Sequence, residues 1–235
     1  MNFTLRSRAA VEFLGTAFLL MAVVGSGIMA ERLAGGNIAL ALLANSLATG
    51  AALVSLILAL SSISGAHFNP VVTLADAIQG GVAWSDVPAY MIAQIVGAFF
   101  GVGSAHMMFG LPLFFASHHA RSGPALLWSE FIATFGLLAV IRGCARVRST
   151  AVSFAVGAYI AAAYWFTAST SFANPAVTLA RAASDTFAGI RPADAPAFII
   201  AQFAGAVAAT LWFRWLALAQ TGGAGREEHE KAEQE

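Results

Sequence analysis

The sequence predicts an all-α membrane protein, with six transmembrane helices and two re-entrant half-helices in an inverted 3+3 repeat. Three observations carry that expectation. Apolar residues make up 59% of the 235 and charged residues only 10%, with a mean hydropathy of +0.76. An ordinary soluble domain is roughly 45–50% apolar and about 25% charged. Six stretches approach the ~20 apolar residues that a spanning helix needs, and short segments of the first half recur in the second. A soluble fold could not cover its surface with so few charges. Cytosolic enzymes, nucleic-acid binders and disordered chains are therefore excluded. The single cysteine, Cys144, excludes an internal disulfide and a cysteine-based metal cluster. No nucleophile–base pair or metal-ligand cluster stands out, so no catalytic residue, metal or cofactor is expected.

The candidate spans are residues 9–30, 38–60, 86–108, 125–142, 150–168 and 194–217. The first follows Arg6 and Arg8, as a signal peptide would. It is too long for that, and no cleavage site follows it. Six spans place Arg6, Arg8, Arg142, Arg146, Arg148, Arg214, Arg226 and Lys231 on one side of the bilayer. Arg32, Arg121, Arg181 and Arg191 fall on the other. By the positive-inside rule both termini are cytoplasmic, in the cell (inner) membrane. The tail 221–235 is Gly-rich and then charged, and is expected to be disordered. From Gly222 it carries a net charge of −3, so the zero net charge of the chain conceals +3 elsewhere.

The repeat is read directly. EFLGTAFLL at 12–20 matches EFIATFGLL at 130–138, NPVVTLADA at 69–77 matches NPAVTLARA at 174–182, and DVPAYMIAQIVG at 86–97 matches DAPAFIIAQFAG at 194–205. The offsets are 118, 105 and 108. Such ordered, near-constant offsets imply duplication. Residues 1–220 then form a single domain, with repeats at about 8–108 and 124–218. Each repeat holds three spans, and an odd number inverts the second. Inverted repeats share a site at their pseudo-two-fold interface, near the midplane.

Segments 61–85 and 169–193 are not full spans. Each opens on small polar residues and turns abruptly at Asn-Pro. Asn is a good N-cap and Pro suits the first helical turn. Asn69 and Asn174 should therefore cap half-helices of about 11 residues, roughly 16 Å each. Entering from opposite faces, the two would make a broken seventh span with its N-termini meeting at the centre. Irregular backbone at that depth is tolerated only where it is buried or lines water.

SGAHFNPVVT and SFANPAVT resemble the paired signature loops of the aquaporins, the major intrinsic protein family, and the resemblance covers about residues 8–218. It implies a homotetramer in the lipid bilayer with one pore per subunit. It also implies that Asn69 and Asn174 donate hydrogen bonds at the pore centre. The carbonyls of Gly65, Ala66, His67, Thr170, Ser171 and Phe172 form an acceptor ladder, and the duplicated Glu12 and Glu130 brace the loops. Proton relay is the competing role for these two acids. Gln94 and Gln202 match in the repeat as interhelical hydrogen-bonding residues, and Gly15, Gly97 and Gly205 mark close helix crossings.

Family members carry an arginine directly after the second Asn-Pro-Ala, where this chain has Val177. Gap-free counting puts the other filter positions at Thr49, Ala162 and Ser171, so all four side chains are small and uncharged. The resemblance is thus to bacterial aquaglyceroporins with a metalloid-permeable pore. It implies a passive channel with a wide filter for water, glycerol-like polyols and neutral metalloid hydroxides such as that of arsenite. A water-only channel and, further off, a coupled secondary transporter remain as alternatives. Arg181, four residues past Val177, is expected in the packing or at the outer surface, with a swing toward the mouth as the other option.

Overall fold

The computed structural model describes residues 3–232 and contains eight α-helices there. α1 (Leu5–Leu33), α2 (Ile38–Ser64), α3 (Pro70–Ile78) and α4 (Val87–Met108) form the first repeat. α5 (Pro124–Val147), α6 (Val152–Phe166), α7 (Pro175–Arg181) and α8 (Ala195–Ala232) form the second. Five of them, α1, α2, α4, α5 and the 195–217 part of α8, are long and apolar enough to cross a membrane. α6 has 15 residues, extended at its start by one 3₁₀ turn, Ser149–Ala151.

The packing repeats with the sequence. α1 packs on α2 and α4, as α5 packs on α6 and α8, and α2 meets α6 across the pseudo-two-fold. Glycines set these approaches. A Cβ on Gly97 would lie 2.3 Å from the Phe13 carbonyl oxygen, and one on Gly205 would lie 2.4 Å from that of Phe131. These are the α4–α1 and α8–α5 crossings at matching positions. At the α2–α6 crossing the relation is reciprocal: a Cβ on Gly50 would meet the Gly157 carbonyl at 2.7 Å, and one on Gly157 the Gly50 carbonyl at 2.5 Å. Small residues drive membrane helices together because lipid offers no hydrophobic force between them.

The structure differs from the sequence expectations in two places. The half-helices have nine and seven residues, against the 11 expected. α3 stops at Gln79 ahead of the Gly80–Gly81 turn, and α7 stops at Ala182, where the chain turns into a loop that pairs with residues 115–119. Together they span about 24 Å of helix axis at 1.5 Å per residue, and irregular backbone supplies the remainder. The second difference is at the C-terminus, where α8 runs to Ala232, past Thr221 at which the tail is expected to begin. Residues 226–232 are mostly good helix formers, whereas Gly222, Gly223 and Gly225 each cost about 1 kcal/mol in a helix and are carried only as a continuation of α8. Residues 233–235 of the expected tail lie outside the described residues.

A membrane pore built from two crossed loops

α3 and α7 start alike. Asn69 and Asn174 are both extended, and Pro follows each at the first helical position. The Asn69 Oδ1 accepts from the Val71 N–H at 3.1 Å, and the Asn174 Oδ1 from the Ala176 and Val177 N–H groups at 3.0 and 3.3 Å. Each amide nitrogen reaches across to the other loop. Asn69 Nδ2 donates to the Ala173 carbonyl and Asn174 Nδ2 to the Phe68 carbonyl, both at 2.8 Å. An Asn amide carries two N–H groups, so each retains one beyond this exchange.

The loops leading to these caps are wound through unusual backbone. Gly65, Ala66 and Phe68 in the first, and Thr170, Ser171 and Ala173 in the second, have positive φ between 48° and 92°. Such conformations are costly outside glycine and persist where the surroundings over-determine them. The duplicated glutamates supply that determination. Glu12, fully buried, accepts from Ser64 Oγ at 2.6 Å, from the His67 and Phe68 N–H groups at 3.0 and 2.7 Å, and from Gln94 Nε2 at 2.8 Å. Glu130, equally buried, accepts from the Phe172 and Ala173 N–H groups, both at 2.9 Å, and from Gln202 Nε2 at 2.6 Å. Gln94 and Gln202 also donate to Thr73 and Thr178 of the half-helices, at 2.9 and 2.8 Å. Phe68 enters the notch left by Gly15, where a Cβ would lie 2.0 Å from its ring.

The loop N–H groups are taken up by the two glutamates and by the hydroxyls of Ser64 and Ser169. Among the described residues, no hydrogen-bond donor reaches the carbonyls of Gly65, Ala66, His67, Thr170, Ser171 or Phe172. Gly65, Ala66, His67, Ser171 and Phe172, with both asparagines, line a cavity of about 500 Å³ between the repeats. Thr170 is an exception to the expected ladder. It does not line this cavity, and Arg121 closes over it, donating from Nη1 to the Ser169 carbonyl at 3.2 Å and to Thr170 Oγ1 at 3.5 Å. The opposite wall is apolar, formed by residues such as Leu19, Val23, Leu53, Leu137, Val156 and Ile160.

At one end the cavity is bounded by Arg8, Asp76 and Arg142. Arg142 donates to the Ala75 carbonyl in the last turn of α3 at 2.7 Å, and Arg8 pairs with Asp86 at 2.7 Å. Thr49, Ser171 and Val177 also line the cavity. Ala162 is not with them: it is exposed on the outward face of α6. Ile160 and Tyr164 line the cavity instead, and the Tyr164 hydroxyl lies 3.3 Å from Thr49 Oγ1. The reason is helical phase. Positions 156, 160 and 164 repeat at about one turn on the inner face, and 162 points away from it. Arg181 also lines the mouth, only 2% exposed. The cavity lining that holds Thr49 and Val177 therefore also includes a bulky aromatic and a cation. Tyr164 carried its signal in the four-residue period from Val156, whereas Arg121 sits in an irregular loop with no local pattern to mark it.

The loop around Arg121 is tied down away from the spans. Asp194 accepts from the Arg121 N–H at 2.8 Å and from Arg191 Nη2 at 2.8 Å. The Arg191 guanidinium, with the Arg121 amide in support, holds the Asp194 carboxyl below the usual carboxylate range.

Crossed re-entrant loops, reciprocal Asn amides and a polar-on-one-side cavity define a multi-pass membrane channel for small solutes. The chain belongs to the major intrinsic protein family, whose model matches residues 2–152 and 142–233. It is 54% identical over 215 residues to the aquaglyceroporin AqpS of Rhizobium meliloti (strain 1021), covering 92% of both chains. It is 32% identical to aquaporin NIP1-4 of Oryza sativa subsp. japonica over 88% of this chain and 76% of that one. In fold it is similar to the aquaglyceroporin from Plasmodium falciparum, with a TM-score of 0.69 and 21% identity over 89% and 96% of the two chains. The family is one of channels and not of enzymes.

Proposed function

We propose that the protein is a passive channel for small uncharged solutes, passing water, glycerol-like polyols and neutral hydroxides such as that of arsenite. The observation that carries this reading is a cavity lined both by loop residues whose carbonyls no donor among the described residues reaches and by apolar helix side chains. A hydroxylated solute needs acceptors and donors along one side and tolerates hydrocarbon on the other. The free N–H of Asn69 and of Asn174 would donate at the centre, and the loop carbonyls would accept on either side. Glu12 and Glu130 act as braces, since their oxygens are occupied by loop and glutamine donors and have no continuous path to carry a proton. The relative named an aquaglyceroporin supports the polyol range. We place the channel in the cell (inner) membrane as a homotetramer with both termini cytoplasmic, on the arginine distribution and the family.

Thr49, Tyr164, Ser171, Val177 and Arg181 would set the outer limit on solute size. Tyr164 and Arg181 add bulk and charge there, and these favour a second reading, a channel restricted to water. Stopped-flow swelling of proteoliposomes in water, glycerol, urea, arsenite and a large sugar alcohol separates the two. Polyol entry well above protein-free vesicles supports the first reading, and water entry alone supports the second. Accumulation of any solute above its bath concentration would overturn both in favour of a coupled transporter.

A further inference from the structure

Arg181 is a cation where the composition of the rest of the mouth makes one costly. It is 2% exposed and forms no ion pair among the described residues. Arginine does not deprotonate, so burial cannot be relieved by neutralisation. Its Nε donates to the Ala188 carbonyl. The guanidinium lies over the Phe172 ring, 3.4 Å from its centroid, and the Arg121 guanidinium is 5.1 Å from that same ring. Of the five N–H donors of an arginine, those on the two Nη atoms have no partner among the described residues. A buried charge left in that state is strongly disfavoured unless something solvates it. Arg181 lines the cavity, so what remains to satisfy it is the cavity's contents.

The helix explains how it gets there. Val177 and Arg181 are one turn apart on α7 and share a face. Helical side chains lean toward the N-terminus, so a long residue covers surface over the preceding turn. The preceding turn here is that of Val177, whose short side chain leaves the space open. Phe172 stacks on the guanidinium and Ala188 accepts from its Nε, so the head is held by two loops as well as by its own helix.

We propose that Arg181 is the specificity-determining cation of this pore, reaching the mouth from one helical turn beyond Val177. Its Nη groups donate to the oxygens of passing solutes, and its charge repels cations. This rests on the reading of the chain as a channel for uncharged solutes. It changes the filter from one without an arginine to one whose arginine enters from a different backbone position. The small side chains of Thr49, Ser171 and Val177 leave room beside it.

The test uses the full-length protein in proteoliposomes at matched protein content. Wild type, Arg181→Met, Arg181→Lys and the exchange Val177→Arg with Arg181→Val are compared. Two quantities are read: sodium leak down an imposed gradient, and the ratio of glycerol to water permeability. Arg181→Met should raise sodium leak about tenfold, because a fixed charge in a narrow low-dielectric passage is what repels a cation. It should also shift the permeability ratio at least about threefold. Arg181→Lys keeps the charge and loses donors, so its leak stays low while the ratio moves. The exchange should restore low leak. A purely structural arginine would lower water and glycerol flux together and leave their ratio and the leak alone, and that result in Arg181→Met overturns the proposal. Should that variant not fold, Arg181→Lys decides on the ratio, an unchanged value counting against the role. Wild-type vesicles that pass water but no glycerol would remove the polyol reading, while the sodium leak would still judge Arg181.

Discussion

Asn69 and Asn174 each cap their own half-helix with the side-chain oxygen and grip the opposite loop with the side-chain nitrogen, both cross-loop bonds being 2.8 Å. Neither half-helix is placed independently of the other. Asn174→Asp keeps the oxygen that caps Ala176 and Val177 but turns a donor to the Phe68 carbonyl into a second acceptor. It should lower stability by about 2–3 kcal/mol, the cost of a lost buried bond plus an opposed carbonyl. The double variant with Asn69→Asp should cost less than the two singles summed, since the bonds belong to one network. Thermal midpoints in detergent, read with stopped-flow water permeability, check both statements. Strict additivity would mean that the loops are positioned separately.

Glu12 has the most to lose of any buried group in the first repeat. Its carboxylate accepts four hydrogen bonds, two of them from loop N–H groups. Glu12→Gln replaces one acceptor oxygen with an NH₂ that faces donors. A destabilisation of about 2–4 kcal/mol is expected, with loss of the charge-assisted bonds and an N–H left opposing another N–H. Water and glycerol permeability per folded channel should fall together, because the loop that carries Asn69 loses its anchor. A Glu12→Gln protein of unaltered thermal midpoint that had lost only a proton-dependent flux would identify the carboxylate as a relay.

Much of this site was legible because its signals are local and duplicated. Asn-Pro after a polar run marks a capped helix start wherever it occurs, and two copies inside an inverted repeat fix a meeting point. Glu12 and Glu130 were legible for the same reason, as ionisable residues at matching positions of apolar segments. Ala162 failed because counting without gaps assumes a loop length that the sequence does not state. An offset of two residues on a helix turns a side chain from the pore to the lipid, and Tyr164 and Ile160 occupy the inner face instead. Arg181 was hidden by the opposite problem. Its position was known, but a buried arginine without an acid is stable only through Phe172, Ala188 and the cavity, which come together in space and not in sequence. The half-helices are short because α3 ends at the local Gly80–Gly81 turn and α7 at a loop that pairs with residues 115–119.

The crossing of α2 and α6 leaves no room for a side chain. Gly157→Ala would place a Cβ 2.5 Å from the Gly50 carbonyl oxygen, a backbone atom that cannot swing aside. The helices must separate by a few tenths of an ångström or more, at about 1–3 kcal/mol for an overpacked contact. Gly157→Leu should exceed that and reduce the yield of folded protein. Gly143→Ala is the control, since nothing lies within 4 Å of a Cβ built there. Its thermal midpoint should match or slightly exceed wild type, because alanine is the better helix former in α5. Equal midpoints for Gly157→Ala and Gly143→Ala would show that the crossing yields without cost.

Acid should loosen the loop that carries Arg121 before it disturbs the spans. Asp194 is held below the ordinary carboxylate range by Arg191 and by the Arg121 amide, and it lies outside the spanning helices. A carboxylate whose folded-state pKa is depressed binds fewer protons folded than unfolded over that interval. Its contribution to stability is therefore complete above its unfolded pKa of about 4 and is lost as pH falls toward the folded value. Between pH 5 and 7 the wild-type midpoint should not respond to this group. Below about pH 4 it should decline, and Asp194→Asn should begin lower at neutral pH and show a shallower acid branch. Thermal unfolding of both proteins from pH 3 to 7 makes the comparison. Parallel curves, separated by a constant amount down to pH 3, would place the acid sensitivity in some other carboxylate.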